Sequence, residues 1–148
     1  MADDTGRVHA FPTDGNGDGP PAHTVRLHEG DVTALAALDL AVSDDASVPL
    51  IYSGGADGTV RAWSPGAEPP ASPVRARSCP VTALAAAASD AGPVLAVGWA
   101  DGLVECHSLD DGAVRVFRPG PPVRSLAVTS SGLLLVGTDE TLVCLRPS

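Results

Sequence analysis

The sequence predicts an all-β fold assembled from a repeated antiparallel unit. Three observations carry that prediction. First, Ser53-Gly54-Gly55-Ala56-Asp57-Gly58-Thr59-Val60-Arg61-Ala62-Trp63 reads as strand, tight turn, strand, because Asp57-Gly58 is a two-residue hairpin signal between β-capable flanks. Second, diverged copies follow at 97–104 and 136–143, and Gly54, Gly98 and Gly137 recur at intervals of 44 and 39 residues. Third, Val32-Thr33-Ala34-Leu35-Ala36 returns as Val81-Thr82-Ala83-Leu84-Ala85 and as Val123-Arg124-Ser125-Leu126-Ala127, at intervals of 49 and 42. A period of roughly 40–45 residues holding four short strands is that of a propeller blade. Helical repeats of that length would space apolar residues three and four apart. The fold class is therefore all-β, a partial β-propeller of about three four-stranded antiparallel blades.

The elements follow in order. An outer strand is expected over 25–27, an inner strand over 32–38, then strands over 50–53, 59–63 and 74–77. The second round gives 81–86, 94–98, 103–107 and 114–117, and the third 123–128, 133–137 and 142–145. Residues 64–73 and 118–122 are rich in Pro and Gly; Pro donates no hydrogen bond to a ladder, so both are turns or edges. Further upstream, Asp4-Thr5-Gly6-Arg7-Val8-His9-Ala10-Phe11 reads as the turn and third strand of a preceding blade, with Phe11 at the Trp63 position. Residues 1–24 are thus the end of a preceding blade plus a flexible Gly/Asp/Pro loop, and 25–148 the blades proper. Propellers close with about four to eight blades, so an arc of about three leaves an apolar face at each end. A larger protein of which this is a fragment, a second copy of the chain, or blades from another chain would each cover those faces.

The first full repeat resembles the WD-repeat family. That resemblance implies a buried hydrogen-bonded tetrad of His28, Ser53, Asp57 and Trp63, in which the carboxylate and hydroxyl take up the imidazole and the Ser accepts the indole N–H. Each member satisfies another, so burial carries little penalty. The tetrad staples a blade and performs no catalysis. The second copy keeps the turn Asp101, but Val97 replaces the Ser and His107 stands at the Trp position. The third has Asp139 in a turn one residue shorter, Val136 for the Ser and no Trp. Only the first blade is expected to carry the full network.

Composition narrows the function classes. The net charge of −9 argues against nonspecific binding to nucleic acid or to anionic membrane. No apolar block reaches the length of a membrane span, and no apolar leader follows the acidic start. Three cysteines, Cys79, Cys106 and Cys144, lack paired spacing and read as reduced thiols in a cytoplasmic protein, with Cys106 and Cys144 buried and Cys79 the more exposed. Asp14-Gly15-Asn16-Gly17-Asp18-Gly19 matches the first half of a calcium loop, but Val25 stands where the twelfth-position Glu would be, so it reads as a flexible loop. His9, His23, His28 and His107 have no ligand spacing with the cysteines, and no metal or cofactor is expected. Arg75 with Arg77, and Arg115 with Arg118, make small basic spots on outer strands, read as edge protection or as contacts for an acidic peptide. No nucleophile–base pair, phosphate loop or paired carboxylates mark a catalytic site.

The functional expectation is a noncatalytic WD-repeat scaffold that binds other proteins or peptides. The contacts would come from loops entering each inner strand, with Glu29, Asp31, Cys79 and Pro122 as the candidate residues. The alternative is a sensor or regulatory propeller portion of a larger multidomain signalling protein.

Overall fold

The computed structural model describes residues 2, 4–11 and 23–146. Within them run β1 (Arg7–Ala10), β2 (His23–Arg26), β3 (Val32–Ser43), β4 (Ala46–Gly55), β5 (Thr59–Trp63), β6 (Arg75–Ala76), β7 (Val81–Ser89), β8 (Gly92–Trp99), β9 (Val104–Ser108), β10 (Val114–Phe117), β11 (Val123–Val128), β12 (Leu134–Thr138) and β13 (Leu142–Leu145). Two sheets are complete antiparallel meanders, β3-β4-β5-β6 and β7-β8-β9-β10; β11-β12-β13 forms a three-stranded sheet and β1-β2 a pair. This is the all-β, partial-propeller architecture. The tight turns form because Gly58 and Gly102 take positive φ (80° and 90°), a conformation only Gly adopts freely.

Several strands exceed their expected lengths. β3 and β4 extend to Ser43 and back from Ala46, with Asp44-Asp45 as the turn. Residues 43–49 are exposed throughout, so no buried face leaves an apolar/polar alternation to read there; the ladder alone holds them. At the other extreme, β6 keeps two of its four expected residues, although Val74 N and Arg77 N still donate to the carbonyls of Val60 on β5 and of Gly58 in the tight turn. β1 pairs with β2 in the register Arg7↔Arg26 to Ala10↔His23, so one sheet draws on both sides of the boundary expected between residues 24 and 25. Phe11 is 41% exposed, unlike Trp63 at 3%. The Asp14–Gly19 loop lies outside the described residues.

The inner strands stack, β3 on β7 and β7 on β11. One device is built twice at these interfaces. Val81 opens the second sheet directly against Gly54 of the first, and Val123 opens the third against Gly98 of the second. A Cβ on either glycine would collide with the valine side chain, so Gly is required by close approach. Around the first seat, Leu38, Tyr52, Val60, Val81, Leu84, Leu95, Val97 and Trp99 form one core; around the second, Ala83, Ala96, Val104, Val123, Leu134 and Val136 form another. A third cluster, Val8, Leu27 and Trp63, joins the β1-β2 pair to the first sheet.

Strand pairing aligns Val60, Val104 and Leu142, which face the glycines Gly54, Gly98 and Gly137 across their hairpins. The first two are fully buried by the next sheet, whereas Leu142 is 72% exposed. Cys144, two residues on, is exposed as well. It was expected to be buried; it stands on the same uncovered face of an edge strand. Cys106 is buried, and burial pushes its thiol pKa up.

Candidate functional site

The polar groups of the first sheet gather at its tight turn. His28, buried just before β3, sets Nδ1 3.1 Å from Asp57 Oδ1 and Nε2 2.7 Å from Ser53 Oγ. The carboxylate can only accept, so Nδ1 carries the proton and the Ser53 hydroxyl donates to Nε2. Asp57 also accepts from the Glu29 and Thr59 backbone N–H groups and from the Thr59 hydroxyl at 2.8 Å. Burial works to raise the Asp57 pKa, but the hydrogen bonds from Thr59, Glu29 and His28 together hold it below the ordinary value. Thr59, which is not one of the four residues the family resemblance implies, is thus a member of the group.

Trp63 stands apart from it. Its Nε1 donates to the Ala67 carbonyl at 3.2 Å, and its ring packs with Val8 and Leu27. The expected indole–Ser53 bond is not made: the indole N–H goes to the Ala67 carbonyl and the Ser53 hydroxyl to His28. The hydrogen-bonded set is therefore His28, Ser53, Asp57 and Thr59.

The second sheet solves the same problem with other residues. Pairing aligns Trp99 with Gly55 and His107 with Trp63. A Cβ on Gly55 would strike the His28 ring, so the imidazole occupies that space in the first sheet. In the second, the indole of Trp99 fills it, fully buried, and Arg77, four residues before Val81 as His28 is before Val32, lies 4.9 Å above the ring centroid. Trp99 Nε1 donates to Glu105 Oε1 at 2.9 Å. Arg75 Nε lies 3.1 Å from each Glu105 oxygen, and a terminal nitrogen of Arg75 lies 2.9 Å from Oε2. Burial alone would raise the Glu105 pKa; the bonds from Arg75 and Trp99 and the nearby charges outweigh it, and the pKa is lowered.

Arg77 in turn grips the turn residue Asp101 with two bonds, at 3.2 and 2.8 Å, holding that carboxyl well below the usual range. Arg75 and Arg77, read from sequence as surface spots, are ties from the outer strand of one sheet to the body of the next. Burial lowers the pKa of His107, which lies 3.8 Å from Glu105. In the third sheet, the Asp139 turn is held by Arg124 at 3.0 and 2.9 Å, with both side chains largely exposed.

The candidate loop residues lie at the entries to the inner strands. Glu29, Asp31 and Pro122 are exposed and Cys79 is half-buried. Among the described residues, no group of three His, Cys, Asp or Glu side chains is placed to hold a metal ion, and no helix is long and apolar enough to cross a membrane. Residues 19–64, the segment that holds the His28 network, match the family model described as WD domain, G-beta repeat. No curated protein matches the chain.

Proposed function

We propose, for a chain that belongs to the WD-repeat family, that it works as a noncatalytic module whose rigid sheets bind other proteins. Family membership supports an interaction role in general terms. One observation carries the reading to a surface of this chain. Gly137 holds the position of Gly54 and Gly98 in the third sheet, where Ser125 of the same sheet lies against it in place of a valine from a following sheet, and there Leu142 is 72% exposed where Val60 and Val104 are fully buried. An apolar face of this build is suited to a further blade. The chain holds one candidate of the right form in Val32–Leu35, which opens its first sheet with the same Val-x-x-Leu pattern as Val81–Leu84 and Val123–Leu126; Leu35 is itself exposed. A second copy, joined head to tail, is the partner we favour for that face. Loops bearing Glu29, Asp31, Cys79 and Pro122 are a second contact surface, held in place by the stacked strands. Three unpaired cysteines suit a reducing compartment, and we place the module in the cytoplasm.

Light scattering on the purified chain tests the proposal. The expected result is a mass above that of one chain, returning to one chain in Leu142→Glu. A wild-type chain that stays monomeric at all concentrations, with Leu142→Glu indistinguishable from it, would sink the reading of this face.

A further inference from the structure

We infer that a cleft beside Arg61 binds a carboxylate side chain of an acidic peptide. It rests on the reading of the chain as a protein-binding module and names the chemistry of one partner. The cleft measures about 460 Å³ and is lined by Arg26, His28, Glu29, Arg61, Pro69 and Pro70, among others. Strand pairing makes Arg61 the counterpart of Glu105, each two residues before the aligned Trp63 and His107. Arg26 stands six residues before Val32, as Arg75 stands six before Val81.

In the second sheet, then, a guanidinium from the outer strand meets a carboxylate, Arg75 on Glu105. In the first sheet the carboxylate is replaced by a second guanidinium. Arg61 Nε is buried with no hydrogen-bond partner among the described residues, and its Nη1 makes only a long contact, 3.4 Å, to the Ala71 carbonyl. Arg26 Nε donates to the His28 carbonyl at 3.3 Å. Among the described residues neither arginine is ion-paired, and the one carboxylate on the cleft, Glu29, pairs with neither. Two guanidiniums and one unpaired carboxylate leave the cleft positive in a chain of net charge −9. A buried donor without a partner is costly, and guanidinium forks match carboxylates. The incoming carboxylate pairs with the two guanidiniums as Glu105 pairs with Arg75 in the next sheet, while Pro69 and Pro70 form a rigid apolar wall for the peptide backbone.

The test uses the full chain and the tripeptide acetyl-Glu-Glu-Glu-amide, titrated by NMR at low salt, with acetyl-Gln-Gln-Gln-amide and inorganic phosphate as comparison ligands. Saturable binding of the Glu peptide is expected, weakened at least tenfold by Arg61→Gln and by Arg26→Gln, and weakened by added salt. Arg26→Gln, at an exposed position, keeps the test decisive if Arg61→Gln fails to fold. The inference is overturned by unchanged affinity in a folded variant, by equal binding of the Gln peptide, by tighter binding of phosphate, or by no saturable binding at all. Leu142→Glu separates this site from the third-sheet face: it should change the mass of the chain and leave peptide affinity as it was.

Discussion

Replacing Glu105 by Ala should be among the more damaging single changes in the second sheet. The carboxylate is 3% exposed and accepts the hydrogen bond of the indole N–H of the fully buried Trp99. Without it, the indole N–H is stranded in a closed core, at a cost of about 1–3 kcal/mol. Loss of two side-chain carbons from a packed site adds about 1 kcal/mol. Arg75 contributes less than its short contacts suggest, because its side chain is 41% exposed and returns to water when the partner is gone. The total is about 2–4 kcal/mol. In a chain of 148 residues each kcal/mol moves Tm by about 3 °C, so the melting temperature should fall by about 6–12 °C. Glu105→Gln is the control. It keeps an acceptor for the indole and loses only the charge, so it should cost about 1 kcal/mol. Urea unfolding followed by tryptophan fluorescence and circular dichroism measures both variants. A Glu105→Ala cost below about 1 kcal/mol, or a Gln variant as unstable as the Ala variant, would refute the claim that this acceptor holds Trp99.

The other interfaces give further expectations. Gly98→Val places a side chain where Val123 sits, and should destabilise by about 1–3 kcal/mol through overpacking, read from the urea midpoint. Asp57→Ala should cost about 1–3 kcal/mol, because His28 Nδ1 retains Thr59 Oγ1 at 2.9 Å while the turn amides lose their acceptor; a cost under half a kcal/mol would count against the network. Acid should destabilise the fold in two stages. His107 has a lowered pKa, so the unfolded chain takes up its proton first, and stability present above the ordinary histidine value of 6.5 is lost as pH falls below it. Glu105, Asp57 and Asp101 are also lowered, and their contribution is present above their ordinary values (4.5, 3.8 and 3.8) and lost as pH falls further. His107→Phe should remove the first stage and leave the second, as judged by melting temperatures measured from pH 8 to pH 3.

Much of the fold was legible in the sequence because its signals are local. Asp57-Gly58 and Asp101-Gly102 each mark a hairpin by themselves, and the Val-x-x-Leu openings mark the inner strands. Residues 43–49 gave no such signal, since a strand exposed on both sides has no alternation. The network of the second sheet was hidden for another reason. A search for the first sheet's residue types at the same positions finds Val97 and His107 and reports loss. The replacement becomes visible only when Gly54 and Gly98 are aligned, which pairs Gly55 with Trp99 and His28 with Arg77. Size then moves from one member of the pair to the other: Gly beside His, Trp beside Arg. Arg61 and Glu105 fall opposite one another in the same alignment, and the charge reversal there is what leaves the first cleft without its carboxylate.

The three sheets thus hold one constant, an acidic residue in the tight turn, and change the hydrogen-bond donor that meets it. His28 meets Asp57 from a buried position, so its hydrogen bonds run in a medium of low dielectric. Arg77 meets Asp101 from a half-buried one and also covers Trp99, so its loss would uncover apolar surface besides breaking an ion pair. Arg124 meets Asp139 in the open, where exposed pairs contribute little. The anchoring of the turn therefore weakens from the first sheet to the third. The third sheet is also the one with three strands and an uncovered face at Leu142. Under the assembly proposed above, a partner bound at Leu142 stabilises the third sheet by mass action, and the exposed apolar face is what motivates that proposal.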